Sequence, residues 1–171
     1  MFAVERDRDL AALLRTRYAG RGDLVVVEAD AKQIDPSAMA AGTPFVLCGN
    51  IPYHLSAPLL ELALGCAATA ERVVFLLQKE LATRLATPAG SRACGALSVL
   101  LQQRFDVAIA RHVGAGAFVP APRVDSSVLV LIPQRPVRHA VTDEARFRDL
   151  VHAAFGQRRK QLGNALRPCF A

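Results

Sequence analysis

Three short uninterrupted apolar runs, at residues 24–27, 44–48 and 72–77, alternate along the chain with stretches of helical periodicity. That alternation is how the strands of a parallel α/β sheet read, because such strands are covered on both faces. Residues 2–4 begin as if already inside a further buried strand, and a helix over 7–18 follows with Leu10, Leu13 and Leu14 on one face. Helices are also predicted over 57–64, with Ser56 as N-cap and Pro58 in the first turn, over 79–86 and over 95–104. Two later strands, 105–111 and 126–131, flank a Gly/Pro loop at 112–124, so an antiparallel pair closes an otherwise parallel sheet. That close is unusual for dinucleotide dehydrogenases. Pro133 and Pro136 form a linker, after which 143–155 and 158–166 are helix-like and basic. The expected organisation is an α/β domain over residues 1–133 and a small helical unit over 134–171.

Composition supports a globular chain: 171 residues, 52% hydrophobic and 21% charged, suit one domain plus a small appendage. No apolar run approaches the ~18 to 20 residues of a membrane span, and Glu5, Arg6 and Asp7 interrupt any secretory segment, so a cytoplasmic protein is expected. Cys48, Cys66, Cys94 and Cys169 form no CxxC pair; they read as buried free thiols, and no metal is expected. The net charge of +6 is uneven. Residues 1–133 carry 13 basic and 12 acidic groups, residues 134–171 carry 8 and 3. A basic extension on a near-neutral domain suits a polyanion, and nucleic acid fits better than a membrane because no large apolar anchors accompany it.

Candidate chemistry lies at strand ends. Glu5 closes the first strand; a carboxylate there can accept hydrogen bonds from ribose hydroxyls, or can simply favour the dipole of the helix that follows. Glu28-Ala29-Asp30-Ala31 ends the next strand, where Asp30 could take a hydrogen bond from an adenine amine or be a solvated loop acid. Gly114 and Gly116 are no phosphate loop, because Phe-Val-Pro-Ala-Pro follows them instead of a helix.

Gly49-Asn50-Ile51-Pro52-Tyr53 is the most informative stretch. It supplies an amide oxygen, carbonyls stiffened by proline and a ring for stacking, a set suited to a planar base with an exocyclic amine. The lone pair of such an amine is delocalised into the ring. If the Asn50 oxygen and a main-chain carbonyl near Ile51 accept both amine hydrogens, the nitrogen can pyramidalise and aim its lone pair at an electrophilic methyl. Phe118, on a proline-stiffened loop, could cover the opposite face of the base. Arg158, Arg159 and Lys160, within Gln157-Arg158-Arg159-Lys160, suit phosphate contact without sequence readout.

Taken in order, Val4-Glu5-Arg6-Asp7, Asn50-Ile51-Pro52-Tyr53, Leu77-Gln78-Lys79-Glu80, Ala117-Phe118-Val119-Pro120, Val124-Asp125-Ser126 and Gln157-Arg158-Arg159-Lys160 resemble the small-subunit ribosomal RNA adenine dimethyltransferase family. The resemblance implies a Rossmann-like methyltransferase domain with a small helical C-terminal domain. It also implies S-adenosyl-L-methionine as cofactor and, as substrate, two adjacent adenosines near the 3′ end of 16S rRNA within a small-subunit precursor. On the matching positions, Glu5 would hold the cofactor ribose, Asp30 its adenine amine with the Ala31 backbone assisting, and Asn50 would be the catalytic amide. Tyr53 and Phe118 would hold the target base, and a monomer is expected. The family's first strand and Gly-rich loop would precede Glu5, so the chain is expected to lack both ends of the enzyme, and its own activity is a separate matter. Two alternatives remain at this point: a non-catalytic RNA-binding or ribosome-assembly factor, and a 23S rRNA adenine methyltransferase.

Overall fold

The computed structural model describes residues 1–157 and 161–170. Four strands, β3 (Phe45–Asn50), β4 (Ala70–Gln78), β5 (Phe105–Val113) and β6 (Ser126–Pro133), form one sheet in the order β3-β4-β6-β5, while among the described residues β1 (Phe2–Glu5) and β2 (Val25–Glu28) pair only with each other. The β1/β2 and β3/β4 pairs are parallel, and β6 runs antiparallel to both β4 and β5. The antiparallel close expected from the Gly/Pro loop is therefore present.

One face of the larger sheet is the core. Val73, Phe75 and Leu77 of β4 and Leu129 and Leu131 of β6 turn towards α3 (Ser56–Gly65), α4 (Lys79–Ala86) and α5 (Ala96–Arg104), and are buried there with Leu60, Leu85 and Leu101. The alternate residues Val74, Leu76, Val128 and Val130 are only half-buried. The apolar run of β4 thus has one face fully covered by helices, and burying those side chains supplies the main hydrophobic stabilisation. Beyond the sheet, α6 (Glu144–Gly156) and α7 (Leu162–Leu166) pack together, and α6 is tied back by the ion pairs Arg148–Glu61 and Arg104–Glu144.

Asp7 caps α1 (Arg8–Arg17), its Oδ1 accepting from the Asp9 and Leu10 amides at 2.9 Å, which satisfies two of the unpaired N–H groups that any helix start exposes. Asp35 does the same for the short α2 (Pro36–Met39), a helix the periodicity does not announce.

Three sequence expectations are corrected. The strand expected to be buried at residues 2–4 is only partly covered, with Ala3 and Val4 half-buried and Phe2 48% exposed, because among the described residues its sheet has two strands and no other strand bonds to it. Of the three leucines expected on one face of α1, Leu10 and Leu13 point outward and Leu14 is half-buried; Ala11 is the buried residue, since the helix presents its small side chain to the strands. Ser56 is not an N-cap. Leu55 occupies that place, because a 3-10 turn over Tyr53–Leu55 runs straight into the helix and the Ser56 amide already bonds to Tyr53 O. The Ser56 hydroxyl is left buried without a partner among the described residues.

The cysteines form no disulfide among the described residues, and not all are buried as expected: Cys66 and Cys94 are enclosed, Cys169 is half-buried and Cys48 is exposed on the outward face of β3. Burial pushes the Cys66 thiol up, partly opposed by a hydrogen bond from Ser37. Iodoacetamide at pH 8 is therefore expected to label Cys48 first and leave Cys66 unreacted until denaturant is added, read by intact mass. Because the folded value is the raised one, the contribution of the protonated Cys66 to stability is full below the unperturbed 9.0 and is lost as pH rises through the folded value. Native labelling of Cys66 at the rate of Cys48 would contradict this packing.

Candidate functional site

Parallel pairing brings the carboxyl ends of β3 and β4 together: Asn50 lies opposite Leu76, and Gln78 lies opposite Ser126, the first residue of β6. Asn50, Gln78 and Ser126 therefore share one edge of the sheet, the edge beyond which open α/β sheets place their ligands. Along β3, Phe45, Leu47 and Gly49 are half-buried while Val46, Cys48 and Asn50 are exposed, as the two-residue period of a strand requires. Within the described residues the Asn50 amide side chain has no hydrogen-bond partner.

The loop after Asn50 is held firmly. Ile51 N donates to Leu76 O at 3.1 Å, extending the ladder by one residue, and the Ile51 side chain is buried beneath Gly49. A Cβ at position 49 would sit 2.8 Å from Ile51 Cδ1, so this approach needs glycine there. Pro52 ends the ladder, Leu55 N closes a turn onto Pro52 O at 2.8 Å, and Tyr53 is left 41% exposed.

Facing this loop is the connection from β5 to β6. Its 3-10 turn is closed by Ala117 N donating to Gly114 O and Phe118 N to Ala115 O, which leaves Phe118 half-buried and Val119 fully exposed. Asp125 ties the connection down: its Oδ1 accepts from Ala115 N at 3.2 Å, its carbonyl from Lys79 N at 2.9 Å, and its Oδ2 lies 3.5 Å from Lys79 Nζ. Between the two loops lies a cavity of 320 Å³, with Asn50, Ile51, Pro52 and Tyr53 on one side and Phe118 and Pro120 on the other. Its size is at the lower end of the ~300 to 1,000 Å³ common for small-ligand clefts. An unpartnered amide beside two exposed or half-exposed rings can hold a flat heterocycle and accept hydrogen bonds from its amine.

The other strand-end acids lie outside that cavity. Glu5 is half-buried at the end of β1, its Oε1 accepting from Asp7 N at 2.8 Å. Asp30 follows β2; the Lys32 amide at 3.0 Å, and then the Lys32 charge at 3.4 Å, hold its carboxyl below the usual carboxylate value. The Ala31 side chain packs against the main core.

Set beside known proteins, residues 1–171 match the family described as Ribosomal RNA adenine dimethylase. The chain belongs to this family. Among curated relatives, Ribosomal RNA small subunit methyltransferase A of Anaeromyxobacter dehalogenans strain 2CP-C is 48% identical over 174 residues, covering 96% of this chain and 60% of the relative. The protein of the same name from Xanthomonas oryzae pv. oryzae strain PXO99A is 46% identical, covering 95% of this chain and 62% of its own length. The chain thus spans about three fifths of the length of these relatives. A dimethyladenosine transferase from Plasmodium falciparum superposes with a TM-score of 0.81 at 25% identity, over 97% of this chain and 58% of that one. The 23S rRNA methyltransferase ErmE shares the fold, with a TM-score of 0.77 at 24% identity over 98% of this chain and 66% of that one. The Rossmann-like methyltransferase class inferred from the motifs is therefore the fold of this chain.

Of the site residues named from sequence, Asn50, Tyr53 and Phe118 line one cavity, whereas Glu5, Asp30 and Ala31 do not line it. Arg158, Arg159 and Lys160 lie outside the described residues. Asp125 was assigned no task from sequence; the Val124-Asp125-Ser126 motif was the available signal, but its contact with Lys79 spans 46 positions and only the fold reveals it. Among the described residues no cluster of three or more His, Cys, Asp or Glu is placed to hold a metal, and no helix is long and apolar enough to cross a membrane.

Proposed function

We propose that this chain carries the catalytic portion of an S-adenosyl-L-methionine-dependent dimethylase of two adjacent adenosines near the 3′ end of 16S rRNA. Its substrate would be a small-subunit precursor in the cytoplasm. The observation that carries the reading is the cavity in which the unpartnered Asn50 amide stands with Tyr53 and Phe118.

In this reading an adenine leaves its stack and lies between the two rings. Asn50 Oδ1 and a main-chain carbonyl near Ile51 accept the amine hydrogens, which directs the nitrogen lone pair out of the ring plane. The ladder and the buried Ile51 fix the Asn50 backbone, so its amide is presented from a set position at the cavity wall. The proton released on N-methylation passes to solvent through the open cavity, so no general base is required of the chain.

The donor set fits the cofactor: Glu5 and Asp30 are two half-buried carboxylates at strand ends, and Asp30 remains ionised to low pH. Glu5 would hold the ribose, Asp30 with the Ala31 backbone the adenine ring, and Asn50 the edge nearest the reacting amine. When bound, S-adenosyl-L-methionine supplies an electrophilic methyl group. Residues 1–133 would form the methyltransferase domain, and residues 134–171, including Arg158, Arg159 and Lys160, would help dock the RNA as a monomer.

The test combines calorimetry with S-adenosyl-L-methionine and primer extension on small subunits lacking dimethyladenosine. Expected are saturable cofactor binding and strong stops at two adjacent adenosines of 16S rRNA. RNA binding without cofactor binding would establish the assembly-factor alternative instead, and stops confined to 23S rRNA would establish the other methylase.

A further inference from the structure

A second and larger cavity, of 720 Å³, lies against the first. Its walls are the β4–α4 junction, with Gln78, Lys79, Glu80, Thr83 and Arg84, and the segment that enters β6, with Asp125. The two cavities meet across that segment, since Pro122 and Ser126 line the Asn50 cavity while Val124 and Asp125 line the larger one. Both therefore open at the same sheet edge, one beside β3 and the other beyond β4.

Six of the eight lining residues are polar or charged, and their charges balance, Lys79 and Arg84 against Glu80 and Asp125, over a surface that is otherwise largely apolar. Lys79 is engaged by Asp125, whereas the Arg84 guanidinium has no ion-pair partner among the described residues. One available cation, flanked by an amide, a hydroxyl and a carboxylate, does not suit a polyphosphate. It suits one nucleotide, whose phosphodiester takes Arg84 while its sugar and base edges meet Thr83, Gln78 and Glu80.

We propose that this cavity holds the nucleotide next to the target base on the same RNA strand. The assignment rests on reading the Asn50 cavity as the target-base site, and covalent connectivity then carries it. A base extruded into the first cavity draws its neighbour along through the linking phosphate, and the adjoining space across Asp125 is where that neighbour can go. A mononucleotide would fill only the first cavity; a strand engages both.

The test measures binding of a fluorescein-labelled single-stranded pentaribonucleotide with a central adenosine, and separately of adenosine 5′-monophosphate. Arg84→Ala is expected to weaken the pentanucleotide about tenfold at low salt, as loss of a hydrogen bond to a charged group does. It should also reduce the salt slope by about 0.7, the value for one phosphate of a single strand. Monophosphate affinity should not change. Ala93→Phe, which adds a ring to the same cavity wall, should reproduce the selective loss. Phe118→Ala should weaken both ligands. Unchanged pentanucleotide affinity and slope in Arg84→Ala and Ala93→Phe would overturn the proposal while leaving the target-base reading intact, as would equal loss for both ligands. A Phe118→Ala variant that binds both ligands normally would overturn the target-base reading and this assignment with it.

Discussion

Replacing Asn50 with alanine is expected to lower the rate of methyl transfer by about 10²- to 10³-fold, the usual loss when one preorganised polar group facing the reacting atoms is removed. RNA affinity should stay within about twofold, because the lost acceptor acts mainly where the amine changes shape. Stability should stay within about 0.5 kcal/mol, as for other surface substitutions. The structure separates these readouts. Asn50 is exposed, its side chain bonds to nothing in the described residues, and its backbone is fixed by pairing with Leu76 and by the buried Ile51 that follows. Single-turnover rates at saturating RNA, with affinity from anisotropy and melting by circular dichroism, check all three. A parallel fall in rate and affinity would mean that Asn50 is a binding contact and not the group that orients the amine. Asn50→Gln tests reach: it restores the acceptor chemistry on a side chain one methylene longer, and it should recover little activity because the oxygen no longer sits where the ladder places it.

Elements whose determinants are local are legible in the sequence. The helix over Lys79–Ala86 and the strand that precedes it follow from an apolar run meeting a charged amphipathic stretch, and the Asn50 loop declares itself through asparagine, proline and tyrosine in five residues. What was not legible depends on partners distant in the chain. The exposure of Phe2 follows from β1 having, among the described residues, only β2 as a strand neighbour, and no pattern within residues 2–4 encodes that. The outward turn of Leu10 and Leu13 likewise depends on which face of α1 meets its strands, where the small Ala11 allowed closer contact than a leucine pair.

The same distinction runs through the site. Tyr53 and Asn50 are neighbours by sequence, but Phe118 reaches them only because β6 inserts between β4 and β5 and starts beside Gln78. The loop it ends must then fold back over the sheet edge, and Asp125 fixes it there through contacts with Ala115 and Lys79. Sequence reasoning could name Phe118 as a ring suited to stacking. It could not supply the carboxylate that holds the ring's loop in place, nor the second cavity behind it, because both arise from the crossing of segments that the chain order keeps apart.

Removing both rings is the other substitution expected to act strongly. Tyr53→Ala and Phe118→Ala should each weaken binding of an adenosine-bearing single strand by about 1 to 3 kcal/mol, the range for a base stacked on one aromatic side chain. In a sandwich the two losses do not add. Once either ring is gone, the base has a solvated face and can tilt away from the other ring, so the double variant should lose less than the two single losses combined. The geometry permits clean single substitutions: Tyr53 is on a turn closed by main-chain bonds from Leu55 to Pro52, and the Phe118 turn is closed by bonds to Gly114 and Ala115, so neither ring holds its own loop. A cycle measured by anisotropy at fixed salt, with Tyr53→Phe as the control that keeps the ring, decides the matter. Strict additivity would place the two rings on separate nucleotides, and full affinity in Tyr53→Ala would leave Phe118 alone as the stacking surface.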